Sequence, residues 1–257
     1  MAGAFYSVDE GRLVPSELTR GPWDPGAQHA GPPSALIARA LERCEPRSGM
    51  RLGRIAIDIL GPVPLAPLEV SASVVRPGRS VELLAATLSG PDGELMRASA
   101  WRVAVGSDVA GGLPDDAPPP GPEHGRERDF FPTGDEHGYH TAMEYSFVRG
   151  GFLEPGPATV WMRQRGPLVE GEQPTPIERL LAVADVGNGI SAVLDWREHL
   201  FINTELTVHV LRPPEGEWIG VDAVTRVDGV GLAESVLYDE RGRVGRGAQT
   251  LLVRQRA

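Results

Sequence analysis

The strongest constraint on this 257-residue chain is that its two halves repeat each other. In the first half, Ile55-Ala-Ile-Asp-Ile-Leu-Gly-Pro62 alternates apolar and polar residues and breaks at proline. Glu205-Leu-Thr-Val-His-Val-Leu-Arg-Pro213 does the same in the second. The correspondence continues, pairing Pro62 with Pro213, Gly93 with Gly242 and Arg97 with Arg246 at an offset of about 150 residues. After each proline come further alternating runs: Leu68–Arg76, Ser80–Leu88 and Leu95–Val105, then Trp218–Arg226, Gly231–Tyr238 and Val244–Arg254, with turns at Pro91-Asp92-Gly93 and Glu240-Arg241-Gly242. The chain therefore has to be built twice from one antiparallel unit.

Each unit carries one helix ahead of its strands. Pro32–Arg43 places Leu36, Ile37, Ala40 and Leu41 on one stripe, with prolines where a first helical turn tolerates them. In the second unit Thr175 and Glu178 form a capping box with Pro176 at the first helical position, and Ile177, Leu180, Leu181 and Ala184 supply the apolar face. Each half reads as an early strand or hairpin, one helix and a four-strand antiparallel run. A curled sheet around a single helix is the simplest way to bury that helix, which makes the class α+β. Between the halves, Gly111-Gly112, Pro114-Asp115-Asp116 and Pro118-Pro119-Pro120 leave no apolar period. The expected boundaries are an N-terminal unit over 1–106, a linker over 107–129 and a C-terminal unit over 130–257.

Composition excludes several function classes. With 35 acidic against 25 basic residues the formal charge is −10, a surface that repels a phosphate backbone, so nucleic acid is not an expected partner. All the Lys+Arg residues are arginine, which excludes a Schiff-base lysine and pyridoxal-phosphate attachment. Cys44 is the sole cysteine, so no internal disulfide or multi-cysteine zinc site forms and a reducing cytosol fits. Met1–Ser7 lacks a basic segment followed by an apolar one, and no apolar run approaches the roughly 20 residues of a membrane helix. A cytoplasmic location without a membrane partner is expected. His137 and His140 stand beside Asp135 and Glu136, but in a polar loop whose solvation explains them without a metal. Gly187-x-Gly189-x-x-Ala192 fits a dinucleotide fingerprint only in letters, because it lies in a helical pattern with no βαβ series. No Gly-x-Ser-x-Gly elbow is present, and no cofactor is expected.

The order strand, central helix, meander is similar to the hotdog fold, and two copies in one chain resemble the double-hotdog acyl-CoA thioesterases. Trp23-Asp-Pro-Gly-Ala-Gln-His-Ala-Gly-Pro-Pro33 resembles the lead-in to the first helix in proteins of the acyl-CoA thioesterase II type. The second half matches that type in order, through Leu181-Ala-Val-Ala-Asp185, Ile202-Asn203-Thr204-Glu205, Leu211-Arg212-Pro213 and Gly245-Arg-Gly-Ala-Gln249. The resemblance covers nearly the whole chain outside the linker. It implies a double hotdog of two antiparallel sheets, each wrapped around one long central helix; the shared strand-proline-strand-turn register at the common offset predicts that the two sheets join into one extended sheet with both helices on the same concave side. It also implies hydrolysis of an acyl-thioester to free acid and CoA by an activated water, held by an aspartate on the second helix, a threonine opening the next strand and a glutamine on the last strand. The aspartate falls on Asp185 and the glutamine on Gln249. At the threonine position the alignment through Arg212-Pro213 gives Asn203, with Thr204 adjacent, so both remain candidates.

The residues themselves carry part of this reading. Asp185 lies between Ala184 and Val186, and burial raises the pKa of a carboxylate, which suits a general base; on pattern alone it also fits a helix-breaking aspartate before Gly187-Asn188-Gly189. Gln249 interrupts the apolar run Ala248–Val253, and its repeat partner is Ala100, so the first half lacks the same amide. Candidate substrate contacts are His29 and Gly31 before the first helix and Gly187, Asn188 and Gly189 after the second, where backbone approaches an acyl group closely. His29 also reads as a local hydrogen-bonding residue of a turn. CoA is expected as a substrate portion, its phosphates met by surface arginines. The alternatives are another hotdog thioester enzyme, either a dehydratase or a carrier-protein thioesterase, and a non-catalytic acyl-binding protein. The broad sheet surface left exposed predicts a homodimer or higher homo-oligomer.

Overall fold

Alternating strands dominate the computed structural model, which describes residues 3–106, 118–132 and 134–256. Residues 107–117 of the expected linker lie outside the described residues. The first half contributes β1 (Tyr6–Asp9), β2 (Arg12–Pro15), α1 (Gly31–Arg43), β3 (Met50–Ile59), β4 (Glu69–Arg76), β5 (Val81–Gly90) and β6 (Gly93–Ala104). The second contributes α2 (Tyr139–Ala142), β7 (Met143–Gly151), β8 (Glu154–Gln164), α3 (Pro176–Ala184), α4 (Gly187–Ile190), β9 (His199–Asn203), β10 (Glu205–Val210), β11 (Ile219–Asp228), β12 (Val230–Asp239) and β13 (Gly242–Gln255).

The two sheets expected from the sequence are one 11-stranded antiparallel sheet, in the order β4-β5-β6-β3-β10-β13-β12-β11-β8-β7 with β9 also paired to β13. The junction is β3 against β10, where Ile57 faces Leu206 and Ile55 faces Val208. These are the corresponding alternating strands of the two runs, and pairing them removes two open edges at once. The early hairpins differ between the halves: β7 and β8 join the large sheet through β11, whereas β1 and β2 form a separate two-stranded sheet.

Helices α1 and α3 pack on each other, α1 also against β3, β4 and β5 and α3 against β8 and β11. They run antiparallel, with the start of α1 beside the end of α3. A Cβ on Gly31 would lie 2.3 Å from the Ala182 carbonyl oxygen, so only glycine lets the backbones approach this closely. At the opposite end of the pair, Arg39 and Arg43 hold Glu172, and the Thr175 hydroxyl donates to Glu42. The capping box read from the sequence is formed, with Thr175 Oγ1 accepting from the Glu178 N–H at 3.1 Å and Glu178 Oε2 accepting from the Thr175 N–H.

Candidate active site

Strand alternation turns Gly247, Gln249 and Leu251 of β13 inward, and the end of α3 brings a carboxylate to meet them. Asp185 caps that helix end rather than lying within the helix, since α3 stops at Ala184 and the chain turns into α4. It is 4% exposed. Asn203 Nδ2, at the end of β9, donates to Asp185 Oδ1 at 2.8 Å. Gln249 Nε2 donates to the same oxygen at 3.1 Å and to the Asp185 main-chain carbonyl at 3.0 Å. The Ala30 backbone N–H also donates to the carboxylate. Burial outweighs these donors and pushes Asp185 up to about 7.

The first half supplies the facing group. His29 Nδ1 accepts the Gly31 N–H at 3.0 Å and lies 3.2 Å from Asp185 Oδ2. Its ring stacks on Tyr139, centroids 3.8 Å apart and planes within 7°. Tyr139 is itself anchored by its hydroxyl donating to the Ala182 carbonyl. Burial lowers the His29 imidazole to about 3, so it is neutral and its contact with Asp185 is not an ion pair.

His29, Asp185 and Asn203 open on a cavity of about 380 Å³ whose apolar walls include Trp23, Ile59, Val63, Leu200 and Ile202. A mostly apolar cleft with a few convergent polar groups, one of them a carboxylate with a strongly displaced pKa, is the usual build of a small-molecule site.

The family model of the acyl-CoA thioesterase C-terminal domain matches residues 114–253, and that of the acyl-CoA thioesterase N-terminal domain matches residues 19–103. The chain belongs to the acyl-CoA thioesterase family. Solved structures share the architecture of this family member at low identity. A Thermobifida fusca protein assigned as a thioesterase II superposes with a TM-score of 0.75 at 17% identity, over 97% of this chain and 94% of that one. A hot dog fold protein of unknown function from Alicyclobacillus acidocaldarius gives 0.69 at 17% identity, over 97% and 95%. An acyl-CoA thioesterase II from Mycobacterium marinum gives 0.64 at 14%, over 90% and 91%. No curated protein matches significantly in sequence.

In this acyl-CoA thioesterase, Asp185, Asn203, Gln249 and His29 come together, and Thr204 does not join them. Thr204 lines the cavity rim, but its hydroxyl turns to the Thr250 carbonyl at 3.3 Å. Asn188 lines the cavity while its N–H donates to Gln249 Oε1 and its side chain to the Phe201 carbonyl. Gly187 faces the sheet: a Cβ there would meet Ser235 Oγ at 2.6 Å and Gln249 Oε1 at 2.9 Å. A Cβ on Gly189 would have open space within 4 Å and Gly189 is not on the cavity wall, while the bare Cα of Gly31 lies against the Ala182 carbonyl. Neither Tyr139, next to the polar loop of His137, nor the Ala30 N–H was among the residues expected at the site. Only an aromatic residue in a stretch otherwise free of apolar period marked Tyr139. Among the described residues no three His, Cys, Asp or Glu side chains gather around a metal-sized space, and His140 stacks on Phe130. No helix among them is long and apolar enough to cross a membrane.

Proposed function

We propose that this chain hydrolyses acyl-CoA with Asp185 as general base. The observation that carries the reading is a buried carboxylate with a pKa near 7 on the wall of an apolar cavity, its Oδ1 held by two amide donors. A base with a pKa close to the working pH combines a useful ionised fraction with a strong pull on the water proton. Asn203 and Gln249 occupy Oδ1 and so orient the carboxylate, while the thioester lies in the cavity. The water oxygen bonds to the carbonyl carbon, one water proton passes to Asp185, and the carbon–sulfur bond breaks. The departing thiolate then takes that proton from Asp185, leaving free acid and CoA. Asn203, rather than Thr204, serves in the threonine position of the family.

Arg254 also lines the cavity and has no acidic partner among the described residues, which suits a CoA phosphate. We extend the reading to two hotdog units, 1–106 and 130–257, each half of the sheet curling around its own helix. With one free cysteine and a CoA substrate, the chain suits the cytoplasm. Exposed Val75, Val81, Leu211, Val230, Leu232 and Leu252 suit a two-fold homodimer, which light scattering at micromolar concentration tests. The decisive experiment is steady-state release of free thiol from a panel of acyl-CoAs. Turnover supports the reading, and acyl-CoA binding with no turnover sinks it in favour of an acyl-binding protein.

A further inference from the structure

We propose that His29 is a second catalytic residue of this site, a neutral imidazole whose Nε2–H donates to the thioester carbonyl oxygen while Asp185 takes the water proton. This rests on the thioesterase reading and adds to it the group that meets the developing negative charge.

When water attacks, the carbonyl electron pair moves to oxygen, and preorganised donors at that oxygen supply much of the rate. Three backbone N–H groups beside the carboxylate are already committed. The Ala30 N–H goes to Asp185, the Gly31 N–H to His29, and the Asn188 N–H to Gln249. Pro32 and Pro33 have none. The amide nitrogens of Asn203 and Gln249 are likewise directed at Asp185.

His29 offers a side-chain donor that is not committed in this way. Because Nδ1 accepts from Gly31, the neutral ring carries its hydrogen on Nε2. Nε2 has no partner among the described residues and is not one of their sealed, unpartnered polar atoms, while His29 lines the cavity. The donor therefore opens on the space the substrate would fill. Stacking on Tyr139, itself pinned to Ala182, fixes the plane of the ring. The titratable groups facing His29 are Asp185 and Tyr139, and burial holds the Tyr139 phenol far above its ordinary range, so it stays neutral.

The 3.2 Å contact between Nδ1 and Asp185 Oδ2 gives the two groups a common timing. Nδ1 already accepts the Gly31 N–H with its one lone pair, so Asp185 acts on the ring through its charge: once it has received the water proton, the negative charge 3.2 Å from Nδ1 is gone. Loss of that charge removes the field that had made the ring electron-rich, and so strengthens Nε2–H as a donor. When the carbon–sulfur bond breaks, the thiolate removes the proton from Asp185 and the electron pair on oxygen re-forms the carbonyl.

Two variants and one spectrum test this. His29→Phe keeps a ring on Tyr139 but removes both nitrogens; kcat for acyl-CoA should fall about 10²- to 10³-fold with KM changed only a few-fold, the usual worth of an oxyanion donor. His29→Gln carries an amide N–H to roughly the Nε2 position and should recover about tenfold or more of that loss. Equal activity of the Phe variant and the parent overturns the proposal. So does a Gln variant no better than Phe, which is the result expected of an imidazole base or of a merely structural ring. Long-range proton–nitrogen NMR should show His29 neutral and protonated on Nε2 from about pH 5 to 9. A hydrogen on Nδ1, or a cation above about pH 5, overturns the proposal whatever the kinetics. A parent chain with no turnover overturns the thioesterase reading instead, and the spectrum then decides on its own whether His29 is a donor.

Discussion

Gln249 grips Asp185 twice, one amide nitrogen reaching both its main-chain carbonyl at 3.0 Å and its carboxylate at 3.1 Å. The oxygen of the same amide accepts the Asn188 N–H, so a single side chain on β13 ties down the turn from α3 to α4. Gln249→Ala should lower kcat through a misplaced carboxylate and cost about 1–3 kcal/mol for the buried groups left unpaired, read by urea denaturation. Gln249→Glu should raise the Asp185 pKa further by placing a second carboxyl beside it, visible as an upward shift of the pH–rate profile.

Asp185→Asn keeps the shape and the oxygen that Asn203 and Gln249 address, and removes the proposed base. Turnover should fall by about 10² or more while KM stays within a few-fold, measured by free-thiol release. Full activity with native circular dichroism would place the base elsewhere.

The rate should climb with pH. A base raised to about 7 is protonated and idle below that value, so kcat should rise through an apparent pKa near 7 and level off above it. A profile flat from about pH 5 to 9 would contradict Asp185 in this role.

Stability should respond to pH with two opposed slopes. Burial raises Asp185 from 3.8 to about 7, so the folded chain binds this proton more tightly and stability is lost as pH rises through that window. Burial lowers His29 from 6.5 to about 3, so stability is lost as pH falls through that one. Where the windows overlap the parent should be nearly insensitive to pH, because folding moves a proton from imidazole to carboxyl with no net uptake. Asp185→Asn should uncover a loss of stability towards acid, and His29→Phe a loss towards neutral pH. Denaturation midpoints at about pH 4.5 and 6.5 that move in the same direction in both variants would refute this.

Gly31→Ala should push α1 from α3, since its new Cβ would stand 2.3 Å from the Ala182 carbonyl. Overpacking of this kind costs about 1–3 kcal/mol or more. Activity should drop with it, because the same displacement separates His29 from Asp185; an unchanged denaturation midpoint would be the contrary result.

Much of this site was legible in the sequence because it rests on periodicity. The capping box at Thr175 fixes the register of α3 and hence where Asp185 emerges. The offset between halves brings Arg246 into register with Arg97, which fixes the alternation that sends Gln249 inward. The distinction between Asn203 and Thr204 was not legible, since adjacent strand residues point to opposite sides and β9 ends just at Asn203. The roles expected of Gly187 and Gly31 came from glycine's freedom to approach a ligand, whereas both approach protein atoms. The proximity of His29, Tyr139 and Asp185 depends on helix-to-helix packing across more than a hundred residues, which no local pattern encodes.

The junction of β3 with β10 puts the imidazole on one half and the carboxylate on the other. A symmetric pair of identical units would carry two equivalent sites, one at each end of the paired helices. Here the far end is filled by Glu172 between Arg39 and Arg43, and Ala100 stands where Gln249 would have to recur. The halves have become unlike subunits that happen to share a backbone, and neither can replace the other. Covalent linkage then works as a stoichiometry device: every half that carries His29 comes with one half that carries Asp185, and like cannot pair with like.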